Sequence, residues 1–504
     1  MVDGILQGAV IALGFKSLLL LVIGVGTGVI FGAIPGLTSG IAIAILLPFT
    51  FYLDIYHSLA LLSGVYVGGT YGGSIAAVLF GTPGAPESGV TVLDGYPMAQ
   101  QGFPNRALST ALYASSLSNV LSSLSMLFLS MAIASFALMI GSAEFFSIVL
   151  FSLVLIATVS MGSAWHKGLT AVLLGLLFSF VGSDPVSAIP RLNFGSLALS
   201  SGLPLIPLLV GLFVGAEIIQ QAGRMKNVHA DGHIAFGGKA DKVRWADIKA
   251  MIPYVFSGAA IGTVIGALPG LNAAVGSMLN YGFAKRVSRT PERFGKGALE
   301  GVAASEAGNN GTVGPTLCPL LTLGIPGSGT AALFLGALLI QGVTPGPTIF
   351  ETSPVVVYSL FWSIFLASLV MIVVGKIVIY FAKYIPLIPT QVINPCIILF
   401  CAAGALAIEG AVSDVLILVF FIALGYFMML GRFPVIPLLI GYLLGGLLET
   451  NLRRTLLISG GDYSAFVQSP ISLVFLVLTV AMLAYVVVSG ARRRRKLRDA
   501  AAGA

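Results

Sequence analysis

Glu306 lies in the run ALEGVAASEAGNNG, in an almost uncharged stretch with two consecutive asparagines, Asn309 and Asn310, just after it. Glu87 lies in GTPGAPES, directly after a Gly-x-Pro-Gly tetrapeptide. A carboxylate in so apolar a setting is costly and marks cation coordination or a proton relay, so both are candidate ion-coupling residues. Glu300 follows a basic cluster and reads as interfacial, while Asp94 and Asp54 read as loop residues. Small polar residues gather at the same places. Thr38 and Ser39 follow Gly36, Asn272 follows Gly270, Thr82 and Gly84 lie in GTPG, Thr312 follows Asn309 and Asn310, and Gly327 and Ser328 lie in GIPGSGT. Their amides, hydroxyls and backbone N–H groups could receive a carboxylate, so they are the candidate substrate-binding residues. The same residues also suit plain packing, since glycine lets helices approach and Ser or Thr bonds its own helix.

Catalytic chemistry has no comparable footing. There is no HExxH, no Walker A sequence and no GxSxG elbow. His229 and His233 are spaced i,i+4 but sit in a polar, glycine-containing loop, where a solvated pair is expected rather than a metal site. No cofactor is expected beyond Na⁺ or H⁺ as a coupling ion, and the chain is not expected to be an enzyme.

The elements that must position these residues are membrane helices. Hydrophobic residues make up 57% of the 504 positions and charged residues 9%, with a mean hydropathy of +1.01. A soluble protein carries about 25% charged residues. The apolar residues run continuously over 17–53, 107–161, 354–383 and 471–490, which fits helices and not the alternation of barrel strands. The length rule gives an all-α polytopic membrane protein with roughly 10–12 crossings. The N-terminus lacks a basic n-region and a cleavage site, so it reads as a retained helix. Cys318, Cys396 and Cys401 lie in apolar sequence without ligand spacing and read as buried thiols.

The chain repeats itself. Gly32–Leu37 (GAIPGL) returns as Gly266–Leu271 (GALPGL), Gly81–Gly84 as Gly324–Gly327, and Pro204–Gly211 (PLIPLLVG) as Pro434–Gly441 (PVIPLLIG), in the same order. Most of the 26 lysines and arginines fall in three clusters: 224–249, 285–296 and the tail 492–498. Basic segments stay cytoplasmic, and the RRRRKLR tail reads as a headgroup anchor rather than a nucleic-acid contact. The helix at about 203–221 then ends inside. Its counterpart at about 434–449 is followed by one more helix ending inside, so it ends outside. The two repeats are therefore expected to be inverted, although Arg453 and Arg454 run against this by placing charge outside. The expected organisation is a first membrane repeat (1–223), a basic cytoplasmic linker (224–250), a second repeat (251–455), a loop and final transmembrane helix (456–490) and a basic cytoplasmic tail (491–504).

Residues 251–284 are apolar, bounded by basic sequence on both sides, and interrupted at Pro269-Gly270. Two arms of about 17 helical residues rise only ~25 Å each, short of a ~30 Å hydrocarbon core, so a re-entrant helix broken at the prolyl-glycine is expected, with a copy at 17–50 broken at Pro35-Gly36. Second breaks are expected at Gly68–Ser74 and Gly81–Ser88 in the first repeat, and at Asn309–Thr312 and Gly324–Thr330 in the second. Broken helices leave free N-termini that favour an anion, and paired breaks in two repeats point to the substrate cavity.

The motifs GAIPGLTSG, YVGGTYGGSIAAVLFGTPGAPES, DGYPMAQQG, GALPGL, EAGNNGTVGPTLCPLLTLGIPGSGTAA and QGVTPGP, in this order over about residues 15–455, resemble the large membrane subunit of tripartite tricarboxylate transporters (the TctA family). The resemblance implies a protein of the bacterial inner membrane that works with a small membrane subunit and a periplasmic solute-binding protein. It also implies import of di- or tricarboxylates and related organic anions, driven by an ion gradient, with substrate bound at paired re-entrant segments. A passive organic-anion channel is the alternative, and would be indifferent to Na⁺ and proton gradients. An integral membrane enzyme would convert its substrate, and a purely structural subunit would tolerate loss of Asn309 and Asn310.

Overall fold

The computed structural model describes residues 2–137, 140–159, 164–184, 187–224, 241–268, 271–346, 348–387, 395, 397–399, 403 and 411–502. Among these the regular secondary structure is helical apart from one two-residue antiparallel ladder, Gly182–Ser183 with Pro190–Arg191. Among the described residues seven helices are long and apolar enough to cross a membrane, and shorter apolar helices such as Ser39–Thr50 and Gly329–Ile340 lie between them. His229, His233, Cys396 and Cys401 lie outside the described residues, and Cys318 is buried. Two compact units form, one from residues 1–135 and 206–423, the other from 136–205 and 424–504. Each unit thus draws on both sequence repeats.

The first unit holds the broken segments. Its helices include α1 (Val2–Ala12), α2 (Phe15–Ala33), α3 (Ser39–Thr50), α4 (Ile55–Phe80), α5 (Val92–Gln100) and α6 (Pro104–Ala137). Gly24, Gly28 and Gly32 recur every four residues on α2, and Gly64, Gly68 and Gly72 do so on α4, which puts each set on one helix face. The two faces meet backbone to backbone. A Cβ on Gly28 would strike the Val65 carbonyl and the Gly69 nitrogen, and one on Gly64 would lie 2.5 Å from the Leu21 carbonyl. In lipid, helices gain nothing by burying apolar side chains against each other, so close approach through small residues supplies the packing.

The second repeat builds the same contact. After the basic linker come α7 (Trp245–Ala267), α8 (Ala273–Val287), α9 (Leu299–Asn310), α10 (Leu317–Leu323) and α11 (Gly329–Ile340). Gly258, Gly262 and Gly266 of α7 stand in the register of Gly24, Gly28 and Gly32. A Cβ on Gly262 would lie 2.7 Å from the Gly311 carbonyl, and one on Gly266 2.7 Å from the Thr312 carbonyl, matching a clash of Gly32 with the Gly69 carbonyl at 2.5 Å. The duplication is therefore structural as well as textual.

The breaks repeat down to backbone angles. Helix α2 ends at Ile34 (φ −90°, ψ 121°) and α7 at Leu268 (φ −92°, ψ 117°); α3 begins after Thr38 (φ −114°, ψ 164°) and α8 after Asn272 (φ −106°, ψ 171°). Pro269 and Gly270 themselves lie outside the described residues. Gly36 has φ +87°, and Gly81 and Gly324, which terminate α4 and α10, have φ +65° and +67°, the left-handed region where a glycine carries no Cβ penalty. One expected break is absent. Helix α4 runs unbroken through Gly68–Ser74, because its glycine face is filled by α2 and by Ser39. The counterpart in the second repeat does break: α9 stops at Asn310, and six turn residues precede α10.

The second unit contains helices Ser142–Val159, Trp165–Ser179, Val435–Ile458 and Pro470–Ala502. Gly175 abuts the Leu438 carbonyl and Gly441 the Val172 carbonyl, a further glycine contact. At one end Arg453 pairs with Asp184 and Glu449, both at 2.7 Å, and Arg191 pairs with the same two carboxylates. Two guanidinium groups meet two carboxylates, so Arg453 carries no free charge of the kind that orients a helix.

Two outcomes follow from these contacts. Gly28→Val and Gly262→Val should each lower the yield of monodisperse protein in detergent several-fold, whereas Gly26→Val, whose Cβ would meet only Val374 Cγ1 at 3.9 Å, should not; size-exclusion profiles decide. Arg191→Gln should destabilise the second unit by about 1 kcal/mol, since Glu449 and Asp184 then share Arg453, and adding Glu449→Gln should recover part of that loss in thermal unfolding.

Candidate functional site

Hydrogen bonding at the breaks shows how they are built. Thr38 Oγ1 accepts from the Ile41 N–H at 3.3 Å, Asn272 Oδ1 from the Val275 N–H at 3.3 Å and Ser328 Oγ from the Ala331 N–H at 3.1 Å. Each residue therefore caps the helix it begins, α3, α8 and α11 in turn. The remaining first-turn N–H groups carry the positive end of each helix dipole. The repeats meet crosswise here: Ser39 Oγ lies 3.4 Å from Thr330 Oγ1, while the start of α8 packs on the turn Pro86–Ser88.

Between these ends lies a cavity of about 30 Å³, lined by Tyr66 and Thr70 of α4, Glu87, Asn272 and Ala273, Val313 and Thr316 of the turn after α9, and Ser328 and Thr330 of α11. It is room for about two waters. Of the residues singled out from sequence, Glu87, Asn272 and Ser328 line it. Ser39 is buried beside Thr330, and the Gly327 Cα faces Thr316.

Others stand apart. Thr82 is exposed. Gly84 donates to the Gly73 carbonyl at 3.2 Å and lies where a Cβ would strike Gly32, so its role is to let backbones meet. Gly36 makes the turn, and Gly270 lies outside the described residues. Thr312 donates to the Asn309 carbonyl at 2.7 Å. Asn309 is buried with neither amide atom hydrogen-bonded, and Asn310 Oδ1 is likewise unmatched. Buried amides left unsatisfied cost free energy that a ligand or water can return.

Sequence reasoning missed Tyr66, Thr70, Val313, Thr316 and Thr330 as cavity residues. Thr70 and Thr330 sit inside glycine-rich motifs and could have been found by extending the motif. Tyr66 had no such mark. Asp94 is a correction: it lies in the first turn of α5, buried, not in a loop. Its Oδ1 accepts from four consecutive N–H groups, Gly295 to Ala298, at 2.8–3.1 Å, and its Oδ2 from the Tyr281 hydroxyl at 2.8 Å. It clamps the first repeat to the loop before α9. Asp54, as expected outside a helix, caps α4 through the His57 N–H.

Glu306 does not line the cavity. It is buried in α9, with hydroxyls of Thr91 and Ser115 on its two oxygens. Glu300 is half-buried in the first turn of the same helix. Among the described residues no three His, Cys, Asp or Glu side chains gather as a metal site would require.

Comparison with known proteins agrees with the motifs. The family model described as "Tripartite tricarboxylate transporter TctA family" matches residues 18–440. An "Uncharacterized 52.8 kDa protein in TAR-I ttuC' 3'region" of Agrobacterium vitis is 33% identical over 494 residues, covering 96% of this chain and 97% of that protein. An "Uncharacterized protein in TAR-II ttuC' 3'region" of the same organism is 34% identical over 234 residues, 46% of this chain and 97% of its own length. No solved structure matches. The chain belongs to the tripartite tricarboxylate transporter TctA family.

Proposed function

We propose that this chain is the large transmembrane subunit of an ion-gradient-driven importer of di- or tricarboxylates and related organic anions. In this reading a periplasmic solute-binding protein delivers the anion, a small membrane subunit completes the complex, and the assembly resides in the bacterial inner membrane. The observation that carries the reading is the convergence of two helix starts of the second repeat, α8 and α11, with Tyr66, Thr70 and Glu87 of the first repeat on one cavity. Free N–H groups and the positive ends of α8 and α11 suit a carboxylate, and no arginine is needed at membrane depth. Asn309 offers an amide donor that no group among the described residues takes up, while the Asn310 amide is held by Ser115.

A cavity of about 30 Å³ is far too small for citrate. The arrangement fits a closed state, from which the crosswise contacts between α3 and α11, and between α8 and the Pro86–Ser88 turn, must part to admit substrate. A site sealed at rest favours alternating access over the passive channel. The inverted relation of the repeats is part of the same proposal, since it supplies two interchangeable gates.

Uptake of labelled citrate, succinate and malate is to be measured in cells expressing the chain with its partner subunits. At least one anion should accumulate, and ionophores should abolish the accumulation. Asn309→Ala and Asn310→Ala should each lower uptake at least about tenfold, the scale of one lost substrate hydrogen bond to a charged group, with unchanged amounts in the membrane. Uptake that persists with ionophores present would turn the reading towards a channel.

A further inference from the structure

Thr91, just before α5, donates to Glu306 Oε1, and Ser115 of α6 donates to Oε2 at 2.9 Å. Ser115 in turn accepts from Asn310 Nδ2 at 2.8 Å. Thr91 Oγ1 also lies 3.0 Å from Ser305 Oγ, whose hydroxyl reaches the Val302 carbonyl at 3.0 Å. Glu306 is 0% exposed, and among the described residues no Lys, Arg or His pairs with it.

The ionisable neighbours bring no positive charge. Glu87 and Tyr71 interact electrostatically with Glu306, and the Tyr71 hydroxyl is spent on the Leu108 carbonyl. On the helices packed around α9, Asp94 is held by the 295–298 loop, Tyr281 donates to Asp94, and Asp247 of α7 pairs with Arg106 of α6. Tyr254 of α7 is influenced by Glu300, Tyr113 of α6 lies under the Lys376 ammonium, and Lys285 and Arg286 stand in the last turn of α8. An ionised Glu306 is thus a buried charge met by the Thr91 and Ser115 hydroxyls and, at 3.5 Å, by the Asn310 amide, with Glu87 opposing it, an arrangement that costs heavily unless the charge is neutralised.

A proton fits at this carboxylate without rearrangement of its neighbours' heavy atoms. Each hydroxyl has one hydrogen and two lone pairs. With Glu306 ionised, Thr91 gives its hydrogen to Oε1 and Ser305 gives its own to the Val302 carbonyl. With Glu306 protonated, the acid O–H donates to Thr91 Oγ1, Thr91 turns its hydrogen to Ser305 Oγ, and Ser305 keeps the carbonyl. Rotation of one hydroxyl satisfies both states without moving a heavy atom. The oxygens are in direct hydrogen-bond contact with one another, not spread around an open centre as a metal cation requires.

We propose that Glu306 is the proton-carrying residue of the transport cycle, so that the coupling ion is H⁺, exchanged at the carboxylate through the Thr91 and Ser115 hydroxyls. This rests on the importer reading above. One proton taken up on Oε1 removes the negative charge behind Glu87, and the cavity can then receive a carboxylate. After the site opens inward, the same proton leaves to the cytoplasm and the carboxylate is restored.

Two measurements test this, and they fail separately from the importer reading. Infrared difference spectra of the purified full chain between acid and alkaline pH should contain a protonated-carboxyl band that Glu306→Gln removes and that Na⁺ does not shift. This readout needs no substrate. Absence of a Glu306-dependent band, or its displacement by Na⁺, overturns the proposal. In membrane vesicles holding the whole transporter, a one-unit inward proton gradient should raise accumulation of the transported anion about tenfold at one proton per anion. Glu306→Gln should abolish that rise and Glu306→Asp should retain part of it. Accumulation that follows an imposed Na⁺ gradient instead, or a proton response that survives in Glu306→Gln, overturns the assignment. If no anion in the panel is taken up by the wild type, the importer reading falls while the infrared result still decides the proton site.

Discussion

Helices in a bilayer cannot be driven together by hiding apolar side chains, because the lipid is as apolar as they are. In this chain, close backbone contact at glycines does that work, on α2 against α4 and again on α7 against the end of α9 and the turn after it. Everything else at the site depends on how near those backbones come. With Cβ atoms at Gly28 or Gly262 the pairs would stand apart, and the chain ends leaving α2 and α7 would no longer bring α3 to α11 and α8 to the cavity. The glycines that tighten the helices and the prolyl-glycines that break them are therefore one device: a rigid pair followed by a helix start aimed inward.

The same contact explains what could be read from sequence and what could not. The all-helical class followed from composition, and the duplication from GAIPGL and GALPGL, whose backbone angles agree within a few degrees at Ile34 and Leu268. The run GGTYGGS was legible as glycine-rich but not as helical. Its state depends on whether a neighbour fills the space each missing side chain leaves, and α2 does so. Propensity alone disfavours glycine in a helix by roughly 1 kcal/mol per residue, and tertiary packing overrides it here. Asp94 failed for a similar reason. A lone aspartate beside a glycine and a tyrosine suggests a loop, and nothing in DGYP foretells that four N–H groups some two hundred residues later will converge on it.

The site was legible in part. Residues that cap a helix after a break, Asn272 and Ser328, are marked by their place after proline and glycine, and both reach the cavity. Tyr66 reaches it from the middle of an unbroken helix, where only three-dimensional register decides which side chain faces inward. Glu306 and Glu87 were conspicuous as carboxylates in apolar sequence, but the sequence could not say that one lines the cavity and the other sits behind it among hydroxyls.

Duplication preserves the scaffold and lets the chemistry diverge. In the register that pairs Gly81 with Gly324, Ser63 of α4 stands where α9 carries Glu306, and Thr330 stands where the first repeat carries Glu87. Ser63 is buried with its hydroxyl unmatched, so the first repeat keeps a polar position but no charge. Helix α4 is unbroken where α9 ends, so the repeats also differ in stiffness beside that position. A symmetric pair would bury two charged groups at equivalent depths, and each would need its own compensation. One carboxylate, near the end of α9, puts the charge next to the turn that supplies Val313 and Thr316 to the cavity.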